Sequence, residues 1–169
     1  MLGFYENFPV NIHRTDNFMS SLSRKKFQQR LMQVLHKINR GTFSFEEIAY
    51  PTVPQGTIIF EAGLAEAKNF NYIDEEETTK VLTALKKETF RSMDFFWAVR
   101  YYKGAGEKRM PLKFDYYLMR FVFGKNSVEI QVFHERGPRY IPPEDIVAFL
   151  VNQINKTSAR KILKKVEPS

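Results

Sequence analysis

Hydrophobic residues recur along this chain with two different periods, which predict a mixture of helices and strands. The first clear pattern lies between Ser23 and Gly41, where the apolar side chains fall on one face of a helix. These side chains are Phe27, Leu31, Val34, Leu35 and Ile38. Ser23 can cap the start of this helix and Gly41 can end it. Residues 1–22 contain a proline and several turn-prone residues, so we expect them to be irregular or extended.

Alternation of apolar and polar residues is typical of strands, and it occurs four times after residue 50. The predicted strands are 57–67, 94–103, 112–123 and 127–135. Short glycine-containing turns separate the last three strands, and such short connections favour antiparallel pairing.

Helical patterns separate and follow these strands. A second helix begins after Asp74, whose side chain suits an N-cap. A third helix begins at Pro142 or Pro143 and is apolar on nearly all sides, which predicts that it is buried. A fourth, basic helix is predicted at the C-terminus, over residues 157–167, with its lysines and arginine on the solvent side.

These elements predict an α+β fold in a single domain spanning residues 1–169. About four strands form a twisted sheet, antiparallel or mixed, and the helices pack on it. The predicted order of elements is α-β-α-β-β-β-α-α.

The net charge of +7 is concentrated at the two ends of the chain. Residues 1–41 carry seven basic and two acidic side chains, and residues 156–169 carry five basic and one acidic. Residues 42–155 carry fourteen basic and sixteen acidic side chains, so this part is slightly acidic. Any surface that binds a polyanion must therefore be built mostly from the two ends.

The charge distribution predicts binding of nucleic acid, either RNA or DNA with RNA preferred, through basic faces of the first and last helices. The candidate contact residues are Lys25, Lys26, Lys37, Arg40, Arg160, Lys161, Lys164 and Lys165. Such side chains neutralise phosphates without regard to base sequence. The alternative interpretation is that these are ordinary solvated helix faces, since cations also suit the C-terminal end of a helix.

Aromatic residues are dense in the predicted sheet, with ten of the 25 lying in residues 94–123. Adjacent rings on a strand must face opposite sides, so both faces of the sheet carry aromatics. We consider four alternative occupants of the second face. They are an N-terminal segment with Phe4, Tyr5 and Phe8, a second copy of the protein, a single strand of nucleic acid, and an apolar ligand. A second copy would make the protein an interaction module, as a homodimer or a subunit of a complex.

Signals of catalysis are weak. The absence of cysteine excludes disulfides and thiol chemistry, and the three histidines lack ligand spacing, so we predict no catalytic residue, metal or cofactor. A candidate loop site follows the last predicted strand, where Arg136, Arg139 and Tyr140 precede a helix, because binding groups often lie in such loops. The alternative interpretation is a solvated connector.

The sequence therefore predicts a non-enzymatic binding protein, with the interaction module as the alternative. The lack of cysteine fits a reducing compartment, so we expect a cytoplasmic location. No apolar run approaches the roughly 18 residues of a membrane-spanning helix, so we expect no membrane partner.

Overall fold

The computed structural model describes residues 3–39, 41–50, 56–104 and 109–166. Ten strands and three α-helices lie within these ranges. In chain order they are β1 Gly3–Phe4, β2 Arg14–Ser20, α1 Arg24–Ile38, β3 Thr42–Ser44, β4 Gly56–Glu66, β5 Asn69–Tyr72, α2 Glu75–Leu85, β6 Ser92–Lys103, β7 Met110–Pro111, β8 Asp115–Phe123, β9 Ser127–Arg136, α3 Pro143–Asn155 and β10 Leu163–Lys165. A single 3-10 turn, Phe45–Glu47, follows β3.

All ten described strands pair antiparallel in one large open sheet. Eight of them form a row in the order β1-β5-β4-β6-β8-β9-β2-β10, while β3 pairs with β4 and β7 pairs with β6. The predicted sheet of about four strands in the order α-β-α-β-β-β-α-α is therefore wrong. The four predicted strands are present as β4, β6, β8 and β9, and they form the middle of the sheet.

The strands missing from the prediction are short or polar, and β2 is the clearest example. Its residues pair with β9, placing Phe18 opposite Val128. Asp16 is the other fully buried side chain of β2, and it accepts two hydrogen bonds of 2.9 Å from Arg14. An acidic residue in a core-facing position interrupts the apolar alternation by which strands are recognised. Residues 1–22, predicted to be irregular or extended, therefore include two paired strands, β1 and β2.

The helices share one hydrophobic core with the sheet. The stripe predicted for α1 is confirmed, because all five of its apolar residues are buried. Ser23 caps α1 by accepting the N–H of Lys26, and Asp74 caps α2 by accepting the N–H of Glu77. α3 begins at Pro143, as predicted. The longest of the helices in the described ranges has 15 residues, and none is long and apolar enough to cross a bilayer.

The N-terminal segment covers part of the second face of the sheet. Phe8 is buried there against Phe70 and Leu118, and the ring of Tyr5 lies 4.7 Å from that of Phe70. The hydroxyl of Tyr5 donates to Asp94. Of the four occupants considered for this face, the chain itself is therefore present over this part of it.

The C-terminal segment differs most from its prediction. A helix was predicted over residues 157–167, but residues 157–162 form turns and bends and β10 follows as a strand paired with β2. The side chain of Asn155 accepts the N–H groups of Ile162 and Leu163, at 3.0 and 2.8 Å, and donates to the carbonyl of Leu163. These bonds and the strand pairing satisfy backbone groups that a short isolated helix would leave unpaired. Residue 167 lies outside the described residues.

Candidate nucleic-acid interface

The fold brings the two basic ends of the chain together. Strand β2 leads into α1, and β10 pairs with β2, so the C-terminal residues lie beside the start of α1. Ser21 donates its N–H to the carbonyl of Ile162 at 2.9 Å. Arg30 of α1 donates to the hydroxyl of Thr157 at 2.7 Å and to its carbonyl at 3.2 Å. The sequence alone left this adjacency open.

A groove of about 640 Å³ opens at this junction. Its lining residues come from the end of β2 and from the C-terminal segment. They are Met19, Ser20, Ser21, Arg160, Lys161, Ile162 and Lys164. Arg160, Lys161 and Lys164 are exposed, as are Lys25 and Lys26 in the first turn of α1, a few residues after Ser21. Lys25 and Lys26 are not among the lining residues, but they follow Ser21 by four and five positions in the chain. We call the groove together with these five cations the basic groove.

Three of the predicted contact residues do not join the basic groove. Lys165 forms an ion pair with Asp16, with 3.2 Å between Nζ and Oδ1. Lys37 lies eleven residues after Lys26 on α1, about 16 Å farther along the helix axis. Arg40 lies outside the described residues.

The sequence missed the groove residues that carry no charge. Met19, Ser20 and Ser21 all fall in the segment predicted to be irregular or extended, so no face could be assigned to them. Arg30 was missed because its role, holding Thr157, depends on a contact across 127 residues. A basic residue between two members of an apolar helical stripe, here Phe27 and Leu31, does not by itself indicate such a contact.

The candidate loop site is tied to the sheet through its backbone. A buried carboxylate, Asp115 at the start of β8, accepts the N–H of Arg139 at 2.6 Å and that of Tyr140 at 2.9 Å. It also accepts the hydroxyl of Tyr101 at 2.6 Å and lies 2.8 Å from Nε2 of His134. Tyr117 of β8 also holds the loop, because its hydroxyl donates to the carbonyl of Ile141. The backbone N–H groups of Arg139 and Tyr140 are thus both used in bonds to Asp115.

The loop residues are also remote from the basic groove. The guanidinium of Arg136 lies 4.5 Å above the ring of Tyr116, on the second face of the sheet. Arg136 ends β9, whereas Ser127, which pairs with Met19 beside the groove, begins it. Ten residues of strand separate the two by about 30 Å. Arg136, Arg139 and Tyr140 therefore do not belong to the same surface.

A tight turn completes this loop. Gly137 has φ of 114°, in the region that favours glycine, and a Cβ there would lie 2.3 Å from the carbonyl oxygen of Phe114. Arg139 also has a positive φ, of 61°. Within the described residues, no group of three or more histidine, aspartate or glutamate side chains is placed to hold a metal ion. The turn and the bonds to Asp115 fix the shape of the loop, and a binding role for Arg136, Arg139 and Tyr140 stays a prediction.

The tyrosines around Asp115 give the protein a predicted sensitivity to alkaline pH. Burial raises the pKa of Tyr101, as do the neighbouring Tyr117 and Asp115; burial and Asp115 likewise raise the pKa of Tyr117. The pKa of each tyrosine in the folded protein exceeds the ordinary value of 10.0. The stability that the protonated tyrosines contribute is therefore fully present below pH 10 and is lost as the pH rises above it. Each tyrosine contributes a loss of up to about 1.4 kcal/mol per pH unit.

We therefore expect the free energy of unfolding, measured with urea, to fall steeply above pH 10. Tyr101→Phe should lower stability at neutral pH but make this alkaline decline shallower. Tyr50→Phe is the control, since Tyr50 is 83% exposed and should leave the slope unchanged. An equally steep decline in Tyr101→Phe and in the unchanged protein would contradict the assignment.

The basic groove is the surface where the two basic ends of the chain meet. Its function has to be inferred from this geometry, because no family model, no curated protein and no solved structure matches the chain.

Proposed function

We propose that the protein is a non-enzymatic binding protein that binds RNA through the basic groove. The observation that carries this proposal is a groove lined by three exposed cations of the C-terminal segment and by the residues that lead into α1, whose first turn adds two more exposed cations. The five cations are Lys25, Lys26, Arg160, Lys161 and Lys164. Phosphates placed along the groove would release the counterions held by these side chains, which favours binding at low salt.

The cations of the basic groove carry no ion pair within the described residues. The basic partners in the ion pairs of that part of the chain are Arg14, Lys80, Arg100, Arg120, His134 and Lys165. Asp16, the buried acid of β2, is already shared between Arg14 and Lys165. The positive charge of the groove is therefore not neutralised internally, and it remains available to an anion from solution.

The start of α1 supports the same proposal. Its first turn is Arg24, Lys25 and Lys26 and contains no acidic residue, whereas α2 and α3 both begin with acidic residues. The helix dipole makes cations unfavourable at an N-terminus, by about 0.3–1 kcal/mol each. These lysines therefore do not stabilise α1, and a bound phosphate would remove the unfavourable interaction.

The alternative, a homodimer formed through the aromatic face of the sheet, has less support. Tyr5 and Phe8 of the same chain already cover part of that face. Arg120 lies 4.7 Å from the ring of Phe8 and pairs with Asp94, so its charge is also used internally. A second copy would have to displace or extend this arrangement.

A triple substitution tests the proposed function. We expect Arg160→Gln, Lys161→Gln and Lys164→Gln together to weaken binding of a labelled RNA strand, measured by fluorescence anisotropy at several salt concentrations. Loss of three phosphate contacts should make the slope of log affinity against log salt shallower by about two. The protein should remain folded, because all three side chains are exposed.

The matched control removes three exposed lysines elsewhere, with Lys68→Gln, Lys103→Gln and Lys113→Gln. It changes the net charge by the same amount, so it separates a local effect from that of overall charge. Equal losses in both triple variants would mean that binding follows net charge only, and a larger loss in the control would place the RNA elsewhere.

A further inference from the structure

A second pocket, of about 420 Å³, adjoins the basic groove. It lies between β3 with its 3-10 turn and the C-terminal half of α3. Its lining residues are Phe43, Glu47, Phe149, Asn152, Gln153, Asn155, Lys156 and Lys161. This volume falls within the range of about 300–1,000 Å³ found for sites that bind small molecules. We call it the amide pocket.

The amide pocket and the basic groove share Lys161, which lines both. Lys156 adds a second exposed cation to the rim of the pocket. An anionic chain lying in the groove would therefore pass directly beside the pocket. A substituent next to a phosphate of that chain would face the polar groups inside the amide pocket.

The polar groups of the pocket suit the edge of a nucleobase. The side-chain amides of Asn152 and Gln153 take part in no hydrogen bond within the described residues, so each offers both a donor and an acceptor. Asn155 differs, because its amide is bound to Ile162 and Leu163. Amide side chains pair with bases through such combined donor and acceptor groups.

The remaining walls add an acceptor and an aromatic ring. One oxygen of Glu47 accepts the N–H of Ser44 at 2.8 Å, and the other is free to accept from an exocyclic amine. Phe43 is only half-buried, although its ring already contacts Phe149 edge-on at 5.0 Å. A partly exposed ring beside unused amides is the combination on which unpaired bases stack.

We propose that the amide pocket holds one base of single-stranded RNA, whose backbone lies in the basic groove. This inference rests on the proposed function, because the groove must first bind the phosphates. A duplex would not place a base in the amide pocket, because its bases are paired and stacked within the helix. A sulfated polysaccharide would occupy the groove without filling the pocket.

An abasic strand separates the pocket from the groove, since it has the phosphates of RNA but no bases. We expect the protein to bind a labelled single-stranded RNA about tenfold more tightly than an abasic strand of equal length, from one stacked and hydrogen-bonded base. Asn152→Ala with Gln153→Ala should abolish this preference and leave affinity for the abasic strand unchanged. Phe43→Leu should reduce the preference in the same way.

The control variant, Asn7→Ala with Asn11→Ala, removes two exposed amides from the N-terminal segment and should keep the full preference. Equal affinity of the unchanged protein for both strands, with the salt dependence intact, would overturn the base pocket and leave RNA binding by the groove standing. Failure to bind either strand would overturn both proposals. A preference that survives the loss of Asn152 and Gln153 would also overturn the role of the pocket.

Discussion

Replacing Asp115 by alanine is expected to lower the free energy of unfolding by about 3–5 kcal/mol, the usual cost of removing one partner from a buried polar network. The carboxylate is fully buried and holds Tyr101, His134 and the backbone N–H groups of Arg139 and Tyr140. Without it, several donors would remain inside the protein with no acceptor, and each would cost about 1–3 kcal/mol.

The size of this effect can be measured by urea denaturation followed by circular dichroism. Glu135→Ala is a suitable control, because Glu135 is exposed in the neighbouring strand β9 and its loss should change stability by less than about 0.5 kcal/mol. The m-value should stay the same, so that the change reports stability and not a different unfolded state. A loss below about 1 kcal/mol would show that Asp115 does not anchor the loop.

The sequence indicated a binding site in this loop but gave no sign of the network that holds it. Arginines and a tyrosine between a strand and a helix are typical of ligand-binding loops. The residue that organises them, Asp115, is separated from Tyr101 by 14 residues and from Arg139 by 24. A single aspartate before the pattern YYLMRFVF gives no local sign that it is buried, so its role could not be predicted.

The parts of the fold that the sequence predicted are those with strong local periodicity. α1, α3 and the central strands β6, β8 and β9 have apolar residues at regular spacing over nine residues or more. The strands that were missed, such as β5 and β10, have only three or four residues. Their structure depends on pairing with distant strands, and local pattern cannot indicate the partner.

For the basic groove, the sequence supplied the charges but not their arrangement. The concentration of Lys and Arg at both ends could be read directly. Their convergence could not, because Ser21 and Lys161 are 140 residues apart in the chain. The C-terminal segment fits a helical pattern at Ile162, Leu163 and Val166 almost as well as it fits a strand. The strand forms because β2 has a free edge beside it.

The second large effect is expected from Asn155→Ala, because Asn155 holds the C-terminal segment against the end of α3. The substitution removes no charge, but it deletes the three hydrogen bonds that tie Ile162 and Leu163 to the end of α3. Both residues are buried, so their N–H groups would lose their acceptor away from water. We expect the free energy of unfolding to fall by about 2–4 kcal/mol, and the C-terminal segment to open more often.

Opening of this segment should weaken RNA binding, because Arg160, Lys161 and Lys164 would spend less time in the groove. The measured affinity falls with the fraction of protein that is competent to bind.

An abasic strand is the right probe, since it does not use the amide pocket, which Asn155 also lines. Asn152→Ala, one turn earlier on α3, is the matched control and should leave this affinity unchanged. Hydrogen exchange should meanwhile be faster at the amides of Ile162 and Leu163 in Asn155→Ala. If exchange accelerates while affinity for the abasic strand stays the same, the docked C-terminal segment is not part of the binding surface, and the charges of α1 alone would have to account for it.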